Sequence, residues 1–282
     1  MLRGSCLCGD VAFEIEGPVE PLGHCHCSMC RKAHGAAFAS FVSAPATSFR
    51  WLSGAKGVKS YASSPQGERP FCPRCGSTVP AGPVGDRMFV PAGLIDGELA
   101  LGPMQHIFVG SKAPWYEIPD DGAPRFDAYP PGMGEALPTK RVTDSAPGVL
   151  RGGCLCGEVA WEAPAPIERA IVRCHCTRCR KARAAAHNAN FFVEPRSRFR
   201  WLRGEALVSS YKVPEAERFT QAFCSRCGSP QPAGILRAVI PAGTLDDDPG
   251  AVPGIHIFTG SKSSWFPIRD ALPQYHEYPP QL

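Results

Sequence analysis

The chain has 282 residues, 44% hydrophobic and 20% charged, with a net charge of +4. That is length enough for two ordinary domains, each burying its own core, and no run of about 18 apolar residues is present to cross a membrane. Thirty prolines and 29 glycines favour short strands and turns over long helices.

The first element is a cysteine pair, "GSCLCG" (4–9), feeding "DVAFEIEG" (10–17). There Val11, Phe13 and Ile15 alternate with Ala12, Glu14 and Glu16, the period of a strand with one buried face. "CHCSMCRKAHG" (25–35) then sets three cysteines within six positions, and the stretch after Cys27 is the one plausible helical turn. "SFRWLSG" (48–54), "VKSYASS" (58–64), "RMFVPAG" (87–93) and "QHIFVGS" (105–111) are short β-rich runs bounded by Gly, Pro or Ser. Between the second and third of these lies the knuckle "FCPRCGS" (71–77). "PPGMGEALPTKRVTDSAPG" (130–148) reads as an exposed linker.

After the linker the series starts again. "GGCLCG" (152–157), "CHCTRCRKA" (174–182), "FRWLRG" (199–204), "FCSRCGS" (223–229), "IPAGTLD" (240–246) and "HIFTGSKSSW" (256–265) answer the first set in order. A repeat of this length is a duplicated domain rather than a short-period solenoid. The expected organisation is two tandem all-β domains, 1–140 and 149–282.

All 14 cysteines belong to this pattern, seven per copy. An odd number per domain argues against internal disulfides, and so does the cytosolic setting expected from an N-terminus, "MLRGSCLCGD", without a signal-peptide apolar core. Metal is the better reading. Cys6 and Cys8, at the mouth of a strand, point both sulfurs to one face; with Cys72 and Cys75 they supply four thiolates for a structural zinc. Cys154, Cys156, Cys224 and Cys227 repeat that set. Iron is compatible with the same ligands.

Cys25, Cys27 and Cys30 remain, with Cys174, Cys176 and Cys179. Three thiolates leave a place on zinc for water or a substrate, whereas a closed structural site takes four ligands. A closed Cys₃His site would need His106 or His256 to reach over, because His26 and His175, between two ligands, point away from the metal. His24 has Arg173 as its counterpart, so it is no general ligand. Arg31 and Lys32 follow the third cysteine and suit either charge compensation or a substrate carboxylate. Lys112 and Lys262 are turn lysines that could also hold a carboxylate. Trp51, Trp115, Trp201 and Trp265 read as packing residues. No general base is evident.

Taken together, "GSCLCG", "CHCSMCRKAHG", "FCPRCGS" and "HIFVGSKAPW" resemble the glutathione-dependent formaldehyde-activating enzymes, which share a domain with centromere protein V. The resemblance covers nearly the whole chain, twice. It implies a β-tent-like fold and up to two zinc ions per domain, four per chain. It also implies a carbon–sulfur lyase that adds a thiol such as glutathione reversibly to an aldehyde. Cys25, Cys27 and Cys30, and in the second copy Cys174, Cys176 and Cys179, match the catalytic ligands; the two four-cysteine sets match the structural ones.

The copies are unequal in charge. Residues 1–149 hold 13 Lys/Arg against 14 Asp/Glu, and residues 150–282 hold 17 against 12. Arg173, Arg178, Arg180, Lys181, Arg183, Arg196, Arg198, Arg200 and Arg203 crowd one stretch of the second copy. The competing reading is therefore a non-catalytic tandem zinc module that holds an anionic partner, nucleic acid or acidic protein, on that face.

Overall fold

The computed structural model describes residues 1–282 apart from 66, 102–103, 134–145 and 281–282; most of the expected linker lies outside the described residues. Among the described residues the architecture is mostly β, with two short α-helices, α1 (Ser28–His34) and α2 (Thr177–Arg183), in equivalent places of the two copies. Among the described residues no helix is long and apolar enough to cross a membrane.

Each copy opens with a three-stranded antiparallel sheet: Leu2–Ser5, Ala12–Ile15 and Phe49–Ser53, then Val149–Gly153, Ala160–Pro164 and Arg200–Arg203. Val11, Phe13 and Ile15 are buried as their alternation requires, but Glu14 is buried with them. The neighbouring strand places Arg50 opposite it, and Arg50 and Arg3 pair with its carboxylate. Burial of this acid is thus compensated by partners that lie outside its own strand.

A second sheet leads into the three-cysteine segment, ending one strand at Cys25. In the first copy its order is Arg125–Phe126, His106–Ile107, Glu20–Cys25, Ala39–Pro45, Arg87–Pro91, Ala81–Val84. The "HIF" segment runs parallel to the strand that ends at Cys25, so that His106 faces His24 and Ile107 faces Cys25. The second copy repeats this with His256 beside Arg173 and Ile257 beside Cys174. A hairpin, Lys59–Ser64 with Gly67–Phe71, and its counterpart, Val208–Lys212 with Thr220–Cys224, complete the units.

The copies share one apolar core. Phe13, Val42, Leu94 and Trp115 of the first half belong to the same buried cluster as Trp161, Ile171, Phe191 and Leu245 of the second. Contacts between the halves are reciprocal. Lys32 pairs with Asp246 at 2.9 Å, and Lys181 with Asp96 at 2.7 Å. His34 Nδ1 meets the Arg183 carbonyl at 2.7 Å. The two "PAG" glycines have the same explanation: a Cβ on Gly93 would lie 2.3 Å from the Ala185 nitrogen, and one on Gly243 2.3 Å from the Ala36 nitrogen. Each copy's turn after "PAG" therefore packs backbone to backbone on the loop that leaves the other copy's helix.

Candidate metal centres

The cysteines converge on four points. Cys6, Cys8, Cys72 and Cys75 form one group and Cys154, Cys156, Cys224 and Cys227 a second, with all Sγ atoms of a group within 4.8 Å of one another. Cys25, Cys27 and Cys30, and Cys174, Cys176 and Cys179, form two groups of three on the same criterion. All 14 thiols are free of disulfides.

The four-thiol groups suit a tetrahedral metal. Contacts of 3.5 Å for Cys6–Cys8, 3.6 Å for Cys8–Cys72 and 3.3 Å for Cys154–Cys156 approach the roughly 3.8 Å edge of a tetrahedron with Zn–S of about 2.3 Å. One local detail departs from the strand-based expectation. Cys6 and Cys8 do not sit on an extended segment; they lie in the turn between the first two strands. Gly9 N–H closes that turn on the Cys6 carbonyl at 3.2 Å, with Gly9 at φ +81°, and Val11 N–H reaches Cys6 Sγ at 3.4 Å. The serine of each "CGS" ties the knuckle to the other cysteine turn: Ser77 Oγ accepts from Leu7 N–H at 3.1 Å and lies 3.3 Å from Cys75 Sγ. Ser229 does the same for Leu155 at 2.9 Å.

Each three-thiol group is built from a strand end and a helix start. Cys25 closes its strand, Cys27 is the N-cap of α1, and Cys30 lies in the first turn, where its N–H bonds Cys27 Sγ at 3.3 Å. α2 repeats this, with the Cys179 N–H on Cys176 Sγ at 3.4 Å. Among the described residues no fourth His, Cys, Asp or Glu donor joins either group. Thiol protons are shared inside the first group. Hydrogen bonds from Cys25 and Cys27 push Cys30 well below the ordinary thiol range, while the same bonding pushes Cys25 well above it. The thiolate is the form in which such a cluster binds a cation.

The histidines do not act as the fourth ligand. His26 Nε2 turns inward to His106 Nδ1 at 3.0 Å, and His106 Nε2 continues to Asp121 at 3.0 Å. The second copy repeats the chain from His175 to His256 at 2.8 Å and on to Asp270 at 2.9 Å. Each chain anchors the residue between the first two cysteines of its triplet and so fixes that cysteine turn from behind. Burial drives the His26 pKa well below its usual value and the His175 pKa to about 3.

A profile of the family described as glutathione-dependent formaldehyde-activating enzyme matches residues 1–111 and again 149–261. The chain belongs to that family. A Halomonas elongata protein, by name a proposed glutathione-dependent formaldehyde-activating enzyme, is 34% identical over 143 residues, 46% of this chain and 89% of its own. A solved Rhodobacter sphaeroides protein is 25% identical over 34% of this chain and 90% of its own, with a TM-score of 0.27, too low to bear on the fold.

Within this duplicated member of the family, the two three-thiol sites have different neighbours. In the first, Arg69 Nη1 reaches Cys30 Sγ at 3.5 Å. The matching position in the second copy is Gln221, and there Asn188 Nδ2 reaches Cys179 Sγ at 3.0 Å. Both sites share an aromatic wall. Phe108 packs on the first thiol group and stands edge-on to Tyr129 with ring centroids 4.7 Å apart. Phe258 and Tyr278 repeat that pair at 4.7 Å. Phe108 and Phe258 hold φ +57° and +56°, a left-handed conformation costing about 1–2 kcal/mol for such residues. None of Arg69, Asn188, Tyr129 or Tyr278 was singled out by the sequence. The tail repeat "AYPP" (128–131) and "EYPP" (277–280) carried the signal for the two tyrosines.

Most of the nine basic residues of 173–203 have partners within the fold. Arg173 is buried against Asp270 at 2.6 Å, and Lys181 is bound to Asp96 and Ser5 of the first copy. Arg198 pairs with Glu168, and Arg200 with Glu162 at 2.5 Å. Arg203 donates to the Gly157 carbonyl, Arg196 lies over the Phe199 ring, and Arg183 is buried. Residues adjacent in sequence are thus dispersed to different partners. Lys112 and Lys32 are likewise engaged, Lys112 by the Tyr116 carbonyl at 3.0 Å.

Proposed function

We propose that the chain is a carbon–sulfur lyase that adds a glutathione-type thiol reversibly to an aldehyde, formaldehyde being the one the family's name gives. The observation that carries this reading is a group of three thiols in each copy with no fourth His, Cys, Asp or Glu donor beside it among the described residues. The residues fit Zn²⁺, up to two per copy and four per chain: Cys6, Cys8, Cys72 and Cys75 with Cys154, Cys156, Cys224 and Cys227 as structural ligands, and the two triplets as catalytic ones. Zinc at a triplet would supply a Lewis acid that lowers the pKa of an entering thiol to near neutrality.

The chain's own groups do the rest. Three thiolates on a divalent cation leave about one negative charge, and the Arg69 guanidinium beside Cys30 offsets it in the first copy. Phe108 and Tyr129 form an apolar wall packed against the three thiols. Burial and the nearby cysteines raise the Tyr129 pKa, so its phenol stays protonated and can donate a hydrogen bond to the aldehyde oxygen. In the forward direction the substrate sulfur bonds the carbonyl carbon and the thiol proton ends on the carbonyl oxygen, giving a hydroxymethyl thioether; the reverse breaks that carbon–sulfur bond. Fourteen free cysteines suit a reducing compartment, and a cytoplasmic location follows from that.

Native mass spectrometry of the reduced protein tests the metal part. Four zinc ions per chain, falling to two in a Cys25→Ser, Cys174→Ser double variant, is the expected result. Two zinc ions in the wild type would refute the open catalytic sites.

A further inference from the structure

The hairpin of the first copy, Lys59–Ser64 with Gly67–Phe71, touches two cysteine groups at once. On its second strand Arg69 donates from Nη1 to Cys30 Sγ at 3.5 Å and from Nε to Ser63 Oγ at 3.2 Å. Tyr61 lies directly opposite Arg69, and residues so paired are neighbours on one face of the ribbon. The Tyr61 side chain, however, packs against the cluster of Cys154, Cys224 and Cys227 in the second copy. Phe71 ends the strand that carries Arg69 and is seated on the second copy's knuckle: a Cβ on Gly228 would lie 2.6 Å from Phe71 Cγ. Both strands of the hairpin are thus held by the second copy.

The counterpart hairpin rests on the first copy in the same way. Tyr211 lies opposite Gln221 and beneath the Arg74 guanidinium at 5.5 Å, and a Cβ on Gly76 would lie 2.3 Å from Phe223 Cγ. Its chemistry differs. Gln221, at the Arg69 position, makes no hydrogen bond from Nε2 among the described residues. The second triplet takes its donor from within its own copy: Asn188 gives Nδ2 to Cys179 Sγ at 3.0 Å and accepts the Cys174 N–H on Oδ1 at 2.9 Å.

We infer that Tyr61 is a positioning residue: seated on the second copy, it holds Arg69 beside Cys30. Metal retention at the first triplet then depends on this contact between the copies, whereas retention at the second has no such dependence. The inference rests on the proposed metal at the triplets and not on the thiol–aldehyde reaction. A donor to a ligating sulfur acts only where its own position is fixed. Fixing a long arginine side chain costs conformational entropy, which a hairpin already clamped at Tyr61 and Phe71 reduces.

The test follows zinc loss to excess EDTA from the full zinc-loaded chain. A Cys174→Ser background leaves the first triplet as the one complete three-thiol site, and a Cys25→Ser background leaves the second. Tyr61→Ala is expected to speed loss from the first triplet several-fold, while Tyr61→Phe, which keeps the packing, matches the wild type. Tyr211→Ala should leave loss from the second triplet unchanged. In an Arg69→Gln background Tyr61→Ala should add nothing further, because its effect passes through the guanidinium; a merely structural role would add in both backgrounds. Tyr61 is only half-buried, and Tyr61→Leu reports even if the alanine variant does not fold. Equal loss from folded Tyr61 variants and wild type, the same acceleration with and without Arg69, or an equal effect of Tyr211→Ala at the second triplet overturns the inference. So does a first triplet that holds no zinc. Coupling as expected without any thiol–aldehyde turnover would instead sink the proposed reaction and leave the inference standing.

Discussion

Replacing Gly93 by Ala probes the docking of the two copies with the smallest possible change. The added Cβ would sit 2.3 Å from the Ala185 nitrogen and 2.4 Å from its carbonyl oxygen, where about 3.4 Å or more is ordinary contact. Both obstacles are backbone, so no side chain can swing aside and the interface must open by about 1 Å. Overpacking of this kind costs about 1–3 kcal/mol, and the rigid obstacle places Gly93→Ala in the upper half of that range. Gly243→Ala meets Ala36 in the same way and should cost a similar amount. Gly57→Ala is the control: nothing lies within 4 Å of its Cβ, so the change should be neutral or slightly stabilising through the unfolded chain. Urea unfolding with zinc present reads all three. Losses below about 0.5 kcal/mol at Gly93 and Gly243 would refute the backbone-to-backbone packing of the copies.

Three further outcomes are expected. His187, whose pKa burial holds well below its usual value, stands where the first copy has Phe38. Its neutral form is the one the fold accepts, so its contribution is intact above the unfolded pKa near 6.5 and is lost as pH falls below it. His187→Phe should therefore spare about 2 kcal/mol of the stability lost between pH 8 and 5, and parallel pH profiles for variant and wild type would contradict this. Arg69→Gln copies the second site's residue into the first, and should weaken metal retention by the first triplet about tenfold, read as the order of zinc loss to a chelator; unchanged retention would remove Arg69 from the site. Tyr129→Phe should lower kcat in a variant whose second triplet is disabled by Cys174→Ser, while zinc content stays constant, and an unchanged kcat would confine Tyr129 to packing.

Two of the three strands of the first sheet, Ala12–Ile15 and Phe49–Ser53, and the partition of 14 cysteines into four groups were legible in the sequence, because alternation and cysteine spacing are local signals. What stayed hidden depends on chain segments far apart. Nothing local says that His106 lies parallel to the strand ending at Cys25, so the Asp121–His106–His26 chain could not be read. The glycine of "PAG" looked like turn punctuation until the other copy's helix loop was seen against it. Tyr61 packs on the second copy's four-thiol group, and Arg74 lies over Tyr211, an exchange between copies that no single-copy pattern records. The partners of the arginine-rich stretch were hidden for the same reason: strand and helix geometry sends neighbours in sequence to different partners in space.

Exchange NMR on equilibrated glutathione and formaldehyde measures the rate at which S-(hydroxymethyl)glutathione forms and breaks, with the spontaneous reaction as its own reference. The account predicts that the wild-type chain speeds this exchange well above the spontaneous rate. It predicts too that the Cys25→Ser, Cys174→Ser double variant, with both four-thiol sites still metal-loaded, returns it to that rate. An exchange rate unaffected by the wild-type protein, or equally raised by the double variant, would contradict a thiol–aldehyde reaction at the three-cysteine sites.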